Sequence, residues 1–233
     1  AALVPWIVDL LGPKSLLDIG CGQGAWLAEF ARSGVVDIQG VDGDYVDRSK
    51  LFIESDRFVS TDLSVPFDLH RRFDLAVCLE VAEHLPKEAA PFVVESISRH
   101  ASVVLFSAAI PLQGGTDHQN EQWPPYWISL FETHGFEVFD VVRPAIWSDS
   151  RISLWYRQNS LLFLRPDGQH SQSCRHHLAS LPSFYGAALV HPDWWLVRHG
   201  AMACRAGELA GPRELLTKLP KSVARAIQNR LKK

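Results

Sequence analysis

Long apolar runs are missing from this 233-residue sequence. Its apolar runs, such as LAVCL at 75–79, VVLF at 103–106 and LLFL at 161–164, are far shorter than the roughly 18 residues of a membrane-spanning helix. The N-terminus also lacks the charged, apolar and small-residue order of a secretory signal peptide. The sequence therefore does not predict an integral membrane protein.

Cysteine is scarce and scattered. Cys21, Cys78, Cys174 and Cys204 form no CxxC pair, so the sequence favours neither a zinc knuckle nor a disulfide framework. Isolated cysteines are typical of a reducing compartment, and we expect a cytoplasmic protein.

A strong charge of either sign is also absent, because the formal net charge is only −3. We therefore do not expect nucleic acid as a partner. The exception is the C-terminal segment 212–233, which carries seven Lys or Arg and one Glu. Its apolar residues recur every four positions, which predicts a basic amphipathic helix. Such a helix packs on its own domain or on a partner chain, or makes a peripheral contact with a membrane surface.

Short apolar segments alternate with helical ones over the first two thirds of the chain. This order predicts an α/β fold, a Rossmann-like three-layer sandwich with a seven-stranded, mostly parallel sheet and an antiparallel edge strand. We expect one domain at 1–166 and a C-terminal extension at 167–233, which begins with a polar loop and includes the basic helix. The link between the last two strands, 144–158, is expected to be non-helical. The predicted strands are 15–20, 35–42, 57–63, 73–79, 102–108, one within 124–143, and 159–166.

A glycine-rich turn follows the first predicted strand, in the stretch LLDIGCGQGAW. It has Gly20, Gly22 and Gly24 between a strand and a helix, with Asp18 just before them. Glycines allow a tight turn and a close backbone approach to a ligand. Asp42 ends the next strand and is placed to accept hydrogen bonds from ribose hydroxyls. The spacing is GxGxG rather than GxGxxG, which argues against a nicotinamide cofactor.

These features, with the acid in STDLSVPF after the third strand, resemble the class I S-adenosylmethionine-dependent methyltransferases over residues 10–165. The resemblance implies that Asp18 orients the amino end of the cofactor. The cofactor-binding residues it implies are Asp18, Gly20, Cys21, Gly22 and Gly24 for the methionine part, Asp42 and Gly43 for the ribose, Asp62 and Leu63 for the adenine, and Glu80 and Val81 on the near side. The alternative is that the acids are helix caps.

The stretch LEVAEHLP adds three polar groups at the end of the fourth strand. If residues 80–84 form a helical turn, Glu80, Glu83 and His84 share one face. His118, in GGTDHQNEQW after the fifth strand, is expected to face them, because strands four and five are neighbours. This set suits a divalent metal such as Mg²⁺, Mn²⁺, Fe²⁺ or Zn²⁺, and its ExxEH part resembles the small-RNA 3′-terminal 2′-O-methyltransferases.

Two other interpretations of this group stay open. His84 or His118 acts as a general base without a metal, which makes Glu83, His84 and His118 the candidate catalytic residues, or the group is structural. Either chemical role favours an oxygen acceptor, since a hydroxyl must lose a proton.

The acceptor is inferred only from a resemblance. HxNEQWPxYW, WYRQNSLLFL and VHPDWW resemble segments of bacterial methyltransferases of glycan assembly, which implies a hydroxyl of a sugar, glycan or other small molecule. The alternatives are a metal-dependent RNA 2′-O-methyltransferase and a non-catalytic subunit that binds S-adenosylmethionine.

Overall fold

The sheet has seven strands in the order β3-β2-β1-β4-β5-β7-β6. The computed structural model describes residues 2–197. Strands β1 to β5 pair in parallel, which confirms the predicted fold class. The strands are β1 (Ser15–Ile19), β2 (Asp37–Asp42), β3 (Phe58–Ser60), β4 (Leu75–Leu79), β5 (Val103–Ser107), β6 (Glu137–Phe139) and β7 (Leu161–Leu164).

The antiparallel pairing predicted near one edge is present, and the reversed strand is β7. It lies between β5 and β6 and runs antiparallel to both, with Leu105 opposite Leu162 and Val138 opposite Phe163. The reversed strand is therefore second from the edge, and β6 forms the edge itself.

Helices cover both faces of the sheet, so the molecule has the three layers that the sequence predicted. Neighbouring residues on a strand point to opposite faces, and Leu16 and Leu17 of β1 accordingly enter different apolar clusters. One cluster contains residues of α1, α2, α5 and α7, and the other contains residues of α3 and α4. The helices are α1 (Leu3–Leu11), α2 (Ala25–Arg32), α3 (Ala90–His100), α4 (Pro124–Glu132), α5 (Val142–Ile146), α6 (Leu154–Asn159) and α7 (Gln169–Ala179).

Two local predictions were wrong. The link 144–158 was expected to be non-helical, but the helices α5 and α6 occupy part of it. The polar stretch 167–177 was expected to be a loop, yet it forms most of α7. Cys174 and Leu178 are the apolar residues of α7 buried against the core, and two positions are too few to give a helical hydrophobic period.

Residues 1–189 form one compact unit, and a second unit begins at Val190. The last part of the first unit is held by Asp140, whose backbone oxygen accepts from Phe184 N at 3.3 Å and whose Oδ2 accepts from Gly186 N at 2.9 Å. The predicted boundary after residue 166 therefore falls inside this unit. The predicted basic helix at 212–233 lies outside the described residues.

Cys21, Cys78 and Cys174 are buried free thiols, while Cys204 lies outside the described residues. Within residues 2–197, no helix is both long and apolar enough to cross a membrane.

Candidate active site

A cavity of about 750 Å³ opens at the carboxyl ends of β1, β2, β3 and β4. This is the edge where parallel α/β sheets bind their ligands. The structure brings many of the predicted cofactor residues together there, along with five residues that the sequence did not single out. The predicted residues in its lining are Gly20, Asp42, Gly43, Asp62, Leu63, Glu80, Val81 and His84, and the others are Asp44, Tyr45, Ser60, Thr61 and Leu85.

The glycine turn brings the backbone close to β4. Gly20 has φ +77°, in the left-handed region, and a Cβ added there would lie 2.4 Å from Cγ2 of Val81. A side chain at this position would therefore meet the β4 loop. The turn is pinned to β2, because the N–H groups of Gly20 and Cys21 both donate to the Val41 oxygen, at 2.8 and 3.2 Å.

Cys21 contributes to packing below this turn. Its side chain is buried, and its Sγ lies 2.6 Å from where a Cβ of Gly40 would be. Gly40 therefore leaves the space that the thiol fills. Four predicted cofactor residues are not among those that line the cavity: Asp18, Cys21, Gly22 and Gly24.

Asp18 lies on β1 and is almost fully buried. Burial, followed by the negative charge of Asp42, raises the pKa of Asp18 to about 8. Its Oδ2 atom has no hydrogen-bond partner among the described residues. A buried acid without a donor is costly unless a cationic or hydrogen-bonding group is supplied, so Asp18 fits the ammonium group of an amino acid ligand.

Asp42 connects the turn to the loop after β2. Its Oδ2 accepts from Gly22 N at 2.6 Å, and its Oδ1 accepts from Gly43 N at 2.7 Å and from the Tyr45 hydroxyl. Tyr45 is largely exposed, but partial desolvation of its hydroxyl, followed by the Asp42 carboxylate, raises the pKa of Tyr45 to about 12. Tyr45 was missed in the sequence, where its position three residues after Asp42 was the available signal.

Asp62 and Leu63 line the cavity beyond β3. Asp62 Oδ1 accepts from Ser64 N at 2.8 Å and from Ser64 Oγ at 2.6 Å. These hydrogen bonds lower the pKa of Asp62, so a negative charge is kept here. Leu63 is buried and supplies apolar surface.

Glu80 follows the last residue of β4 in an unusual conformation. Its φ is +55°, and its N–H donates to the Ser107 oxygen at 3.0 Å. Its carboxylate accepts from Gln113 Nε2 at 3.0 Å and from Asn159 Nδ2 at 3.1 Å. Neither amide was singled out from the sequence. They hold the Glu80 side chain on the side of α6.

Glu83, His84 and His118 form a compact group, in which one ligand atom from each residue lies within 4.8 Å of the others. The two imidazole rings are 4.8 Å apart between centroids and nearly perpendicular. Glu80 does not belong to this group. The expected helical turn over 80–84 was wrong, because the turn starts at Val81, whose oxygen accepts from His84 N at 3.0 Å, and Glu80 is left-handed.

The charges of this group are set by burial. Burial, and then the carboxylate of Glu80, raise the pKa of Glu83 to about 8. Glu83 Oε1 accepts from Ala109 N at 3.2 Å, while Oε2 has no partner among the described residues. Burial and the neighbouring His118 lower the pKa of His84. His84 is therefore a neutral imidazole near pH 7.

The two loops that carry the group lie against each other, as the sequence predicted. The Glu83 oxygen accepts from the N–H groups of Gln119 and Asn120, at 2.8 and 3.0 Å. The Gln119 side chain also donates to the His84 oxygen at 2.9 Å. These bonds hold the loop after β4 against the loop between β5 and α4.

Comparison with known protein families identifies the family of this chain. A family model described as a methyltransferase domain matches residues 3–143, which is more than half of the chain. The chain is an S-adenosylmethionine-dependent methyltransferase. S-adenosylmethionine is its cofactor, and the buried acid at Asp18 and the glycine turn fit that molecule.

Solved structures share the fold of this methyltransferase. The sugar N-methyltransferase KedS8 from a Streptoalloteichus species has a TM-score of 0.54 at 17% identity, over 71% of this chain and 87% of that chain. The methyltransferase domain of bacterial CtHen1-C has a TM-score of 0.51 at 17% identity, over 70% and 95%. An O-methyltransferase family protein from Burkholderia thailandensis has a TM-score of 0.53 at 14% identity, over 72% and 55%. No curated protein sequence matches at a significant level.

Proposed function

We propose that this methyltransferase transfers a methyl group to a hydroxyl of a sugar, a glycan or another small molecule. The observation that carries the proposal is the position of His84. It lines the cavity and also belongs to the group with Glu83 and His118. A hydroxyl must lose its proton as it attacks the methyl group, and a base or a Lewis acid at this place meets that need.

The cofactor residues are assigned by chemistry. S-adenosylmethionine supplies an electrophilic methyl group on a sulfonium. In this proposal Asp18 binds the ammonium group, because its Oδ2 has no partner among the described residues. Asp42 binds the ribose, and a ribose hydroxyl replaces Tyr45 as the donor to Oδ1. Asp62 and Leu63 hold the adenine.

The remaining predicted residues surround the methionine part. In the proposal, Gly20, Cys21, Gly22 and Gly24 shape the turn that holds it. Gly43 follows Asp42 in the cavity lining, and Glu80 and Val81 close the near side.

Glu83, His84 and His118 would hold a divalent metal ion. Their two imidazoles and one carboxylate suit Zn²⁺, Mn²⁺ or Fe²⁺ better than Mg²⁺, which prefers oxygen ligands. Such an ion would lower the pKa of a bound hydroxyl. Glu80 fits this role poorly, because Gln113 and Asn159 hold its carboxylate. Without a metal, His84 is the preferred general base, since its lowered pKa keeps it neutral.

The sugar acceptor is supported by aromatic side chains near the loop of His118. Trp123 is exposed and lies two residues after Glu121 at the start of α4, with Tyr126 in the first turn of that helix. Aromatic faces next to polar groups are typical of sites that bind sugar or nucleoside rings. KedS8, which has the same fold, is a sugar N-methyltransferase. A cytoplasmic enzyme that contacts a membrane through 212–233 remains part of this proposal.

RNA is a second candidate acceptor, for 2′-O-methylation, and the group of Glu83, His84 and His118 favours it. The charges of the cavity oppose it. Among the described residues, the lining includes four acids and no Lys or Arg, whereas RNA backbones are bound by cations. The lack of cations in this lining therefore favours a small acceptor over RNA.

The test is a transfer assay with radiolabelled S-adenosylmethionine and three sets of acceptors: sugars and nucleotide sugars, RNA oligonucleotides, and amines. We expect the label on a sugar hydroxyl, and a loss of roughly 100-fold or more in kcat/KM for His84→Ala, the size of a general-base effect. His176→Ala, an exposed histidine of α7, is the matched control.

The same assay separates the candidates. Loss of activity after chelation and recovery with Mn²⁺ support the metal, whereas activity that survives chelation but needs His84 supports the general base. Transfer to RNA alone favours the second candidate. Cofactor binding without transfer to any hydroxyl, or transfer to amines that does not depend on His84, contradicts the proposal.

A further inference from the structure

The loop between β5 and α4 is organised by Glu121. One carboxylate oxygen accepts from Leu112 N at 2.7 Å, and the other accepts from Gly114 N at 2.7 Å. The second oxygen also contacts Nδ1 of His118 at 2.9 Å. Leu112 and Gly114 both have positive φ, at +67° and +70°, so the carboxylate holds a backbone that is strained at Leu112.

Two backbone N–H groups donate to the Glu121 carboxylate, one to each oxygen, and such hydrogen bonds favour its ionised form. An ionised carboxylate can only accept hydrogen bonds. It follows that Nδ1 of His118 carries a proton. In the neutral imidazole the acceptor nitrogen is then Nε2.

The His118 ring packs against Gly115, in the space that a side chain at residue 115 would occupy. A Cβ at Gly115 would lie 2.2 Å from Nε2, 2.4 Å from Cε1 and 2.9 Å from Cδ2. Three ring atoms at such short distances mean that this Cβ would sit over the face of the ring rather than at its edge. The face of the imidazole thus packs against the glycine, and the edge that carries the Nε2 lone pair points elsewhere.

We propose that Glu121 is a positioning residue that fixes His118 in the Nδ1–H tautomer, so that Nε2 is the nitrogen that binds an ion or accepts a proton. The inference rests on the proposed function of Glu83, His84 and His118. It adds a residue outside that group, and it assigns a separate role to each of the two nitrogens of His118.

The test is the tautomer of His118, read by NMR of the protein with ¹⁵N-labelled histidine, above the pH at which histidine titrates. In the wild type, we expect Nδ1 to carry the proton. In Glu121→Gln the side chain keeps one acceptor oxygen for three donors, so the fraction of the Nδ1–H form falls. Glu132→Gln, an exposed acid on α4, is the matched control and leaves the tautomer unchanged.

Gly115→Ala is the second variant and keeps Glu121 itself intact. Gly115 is outside the left-handed region, so alanine strains only the contact with the imidazole. We expect the ring to move away from Glu121 and the Nδ1–H fraction to fall again. If Glu121→Gln does not fold, this variant decides alone. Wild-type tautomer populations in the variants that fold overturn the inference.

Two further measurements separate this inference from the proposed function. Mn²⁺ affinity, measured by electron paramagnetic resonance, should fall roughly 10- to 100-fold in Glu121→Gln, as is typical when the partner of a metal-binding histidine is removed. The KM for S-adenosylmethionine should stay unchanged while kcat falls. If the wild type neither binds Mn²⁺ nor needs His84 for transfer, the proposed function fails. The fraction of the Nδ1–H form of His118 in wild type and Glu121→Gln then still shows whether Glu121 positions that ring.

Discussion

The carboxylate of Asp42 accepts a hydrogen bond from the N–H of Gly22, with the nitrogen 2.6 Å from Oδ2. This contact joins the end of β2 to the turn after β1, across 20 residues of sequence. Because Gly22 has φ +53°, its N–H points to the carboxylate only in a conformation that glycine adopts easily. The conformation of the glycine turn therefore depends on the position of the Asp42 carboxylate.

Asp42→Asn should weaken cofactor binding. The amide replaces one acceptor oxygen by a donor, which faces the N–H group of either Gly22 or Gly43, and it removes a charged partner for the ribose. We expect the Kd for S-adenosylhomocysteine, measured by calorimetry, to rise about 10- to 100-fold, since hydrogen bonds to charged groups contribute about 1.5–3 kcal/mol. Asp56→Asn, an exposed acid, is the control. Unchanged affinity would contradict the ribose assignment.

Asp18 should make the cofactor-free protein less stable as pH rises. Its pKa is about 8 in the folded protein against an ordinary value of 3.8, so the folded state binds the proton more tightly than the unfolded state does. The free energy of unfolding therefore falls between these two values. Asp18→Asn should reduce this slope and raise Tm at the upper end of the range, where about 1 kcal/mol corresponds to roughly 2–4 °C.

Thermal denaturation at a series of pH values checks this. Glu83, whose pKa is also raised to about 8, adds a slope of its own, so the difference between wild type and variant isolates Asp18. The variant should at the same time bind S-adenosylmethionine more weakly. A parallel pH dependence in the two proteins would show that Asp18 is ionised in both states.

Arg143 and Asp140 form an ion pair in which both side chains are fully buried, and Asp140 also accepts from Gly186 N. Arg143→Met leaves a buried carboxylate without its cation, which typically costs about 3–5 kcal/mol. Urea denaturation should show this loss. The control is Arg151→Ala, which breaks the exposed ion pair of Arg151 with Asp149. It should alter the free energy of unfolding by less than about 0.5 kcal/mol. Equal effects would mean that the buried pair contributes nothing beyond an exposed one.

Gly40→Ala should destabilise the turn from below. The added Cβ would lie 2.6 Å from Sγ of Cys21 and 2.8 Å from Cδ1 of Leu27, and overpacking of this kind costs about 1–3 kcal/mol. Adding Cys21→Ala should restore part of the stability, because it removes one of the two contacts. Gly168→Ala, whose Cβ would have no neighbour closer than 3.5 Å, is the control. Failure of the double variant to recover any stability would assign the clash to Leu27 alone.

The alternation of strands and helices could be predicted from the sequence because it rests on local periodicity. Leu16 and Leu17 illustrate this, since a strand of apolar residues buries both faces wherever it lies in a parallel sheet. The glycine turn and its acids were also predictable, because the need for φ above zero and the type of ligand are properties of single residues and their spacing. These local features were enough to predict the sheet and the glycine turn with Asp42 beside it.

The tertiary structure decided which neighbours complete the site. Glu80 does not lie in the group of Glu83, His84 and His118, because its carboxylate accepts hydrogen bonds from the amides of Gln113 and Asn159. These two residues are 33 and 79 positions away in the chain. Burial by the folded chain sets the raised pKa of Asp18. Such effects depend on long-range packing and on the backbone φ at one residue. The sequence by itself thus determined the fold class and the glycine turn, and only the folded structure determined how the acids and imidazoles are divided among their partners.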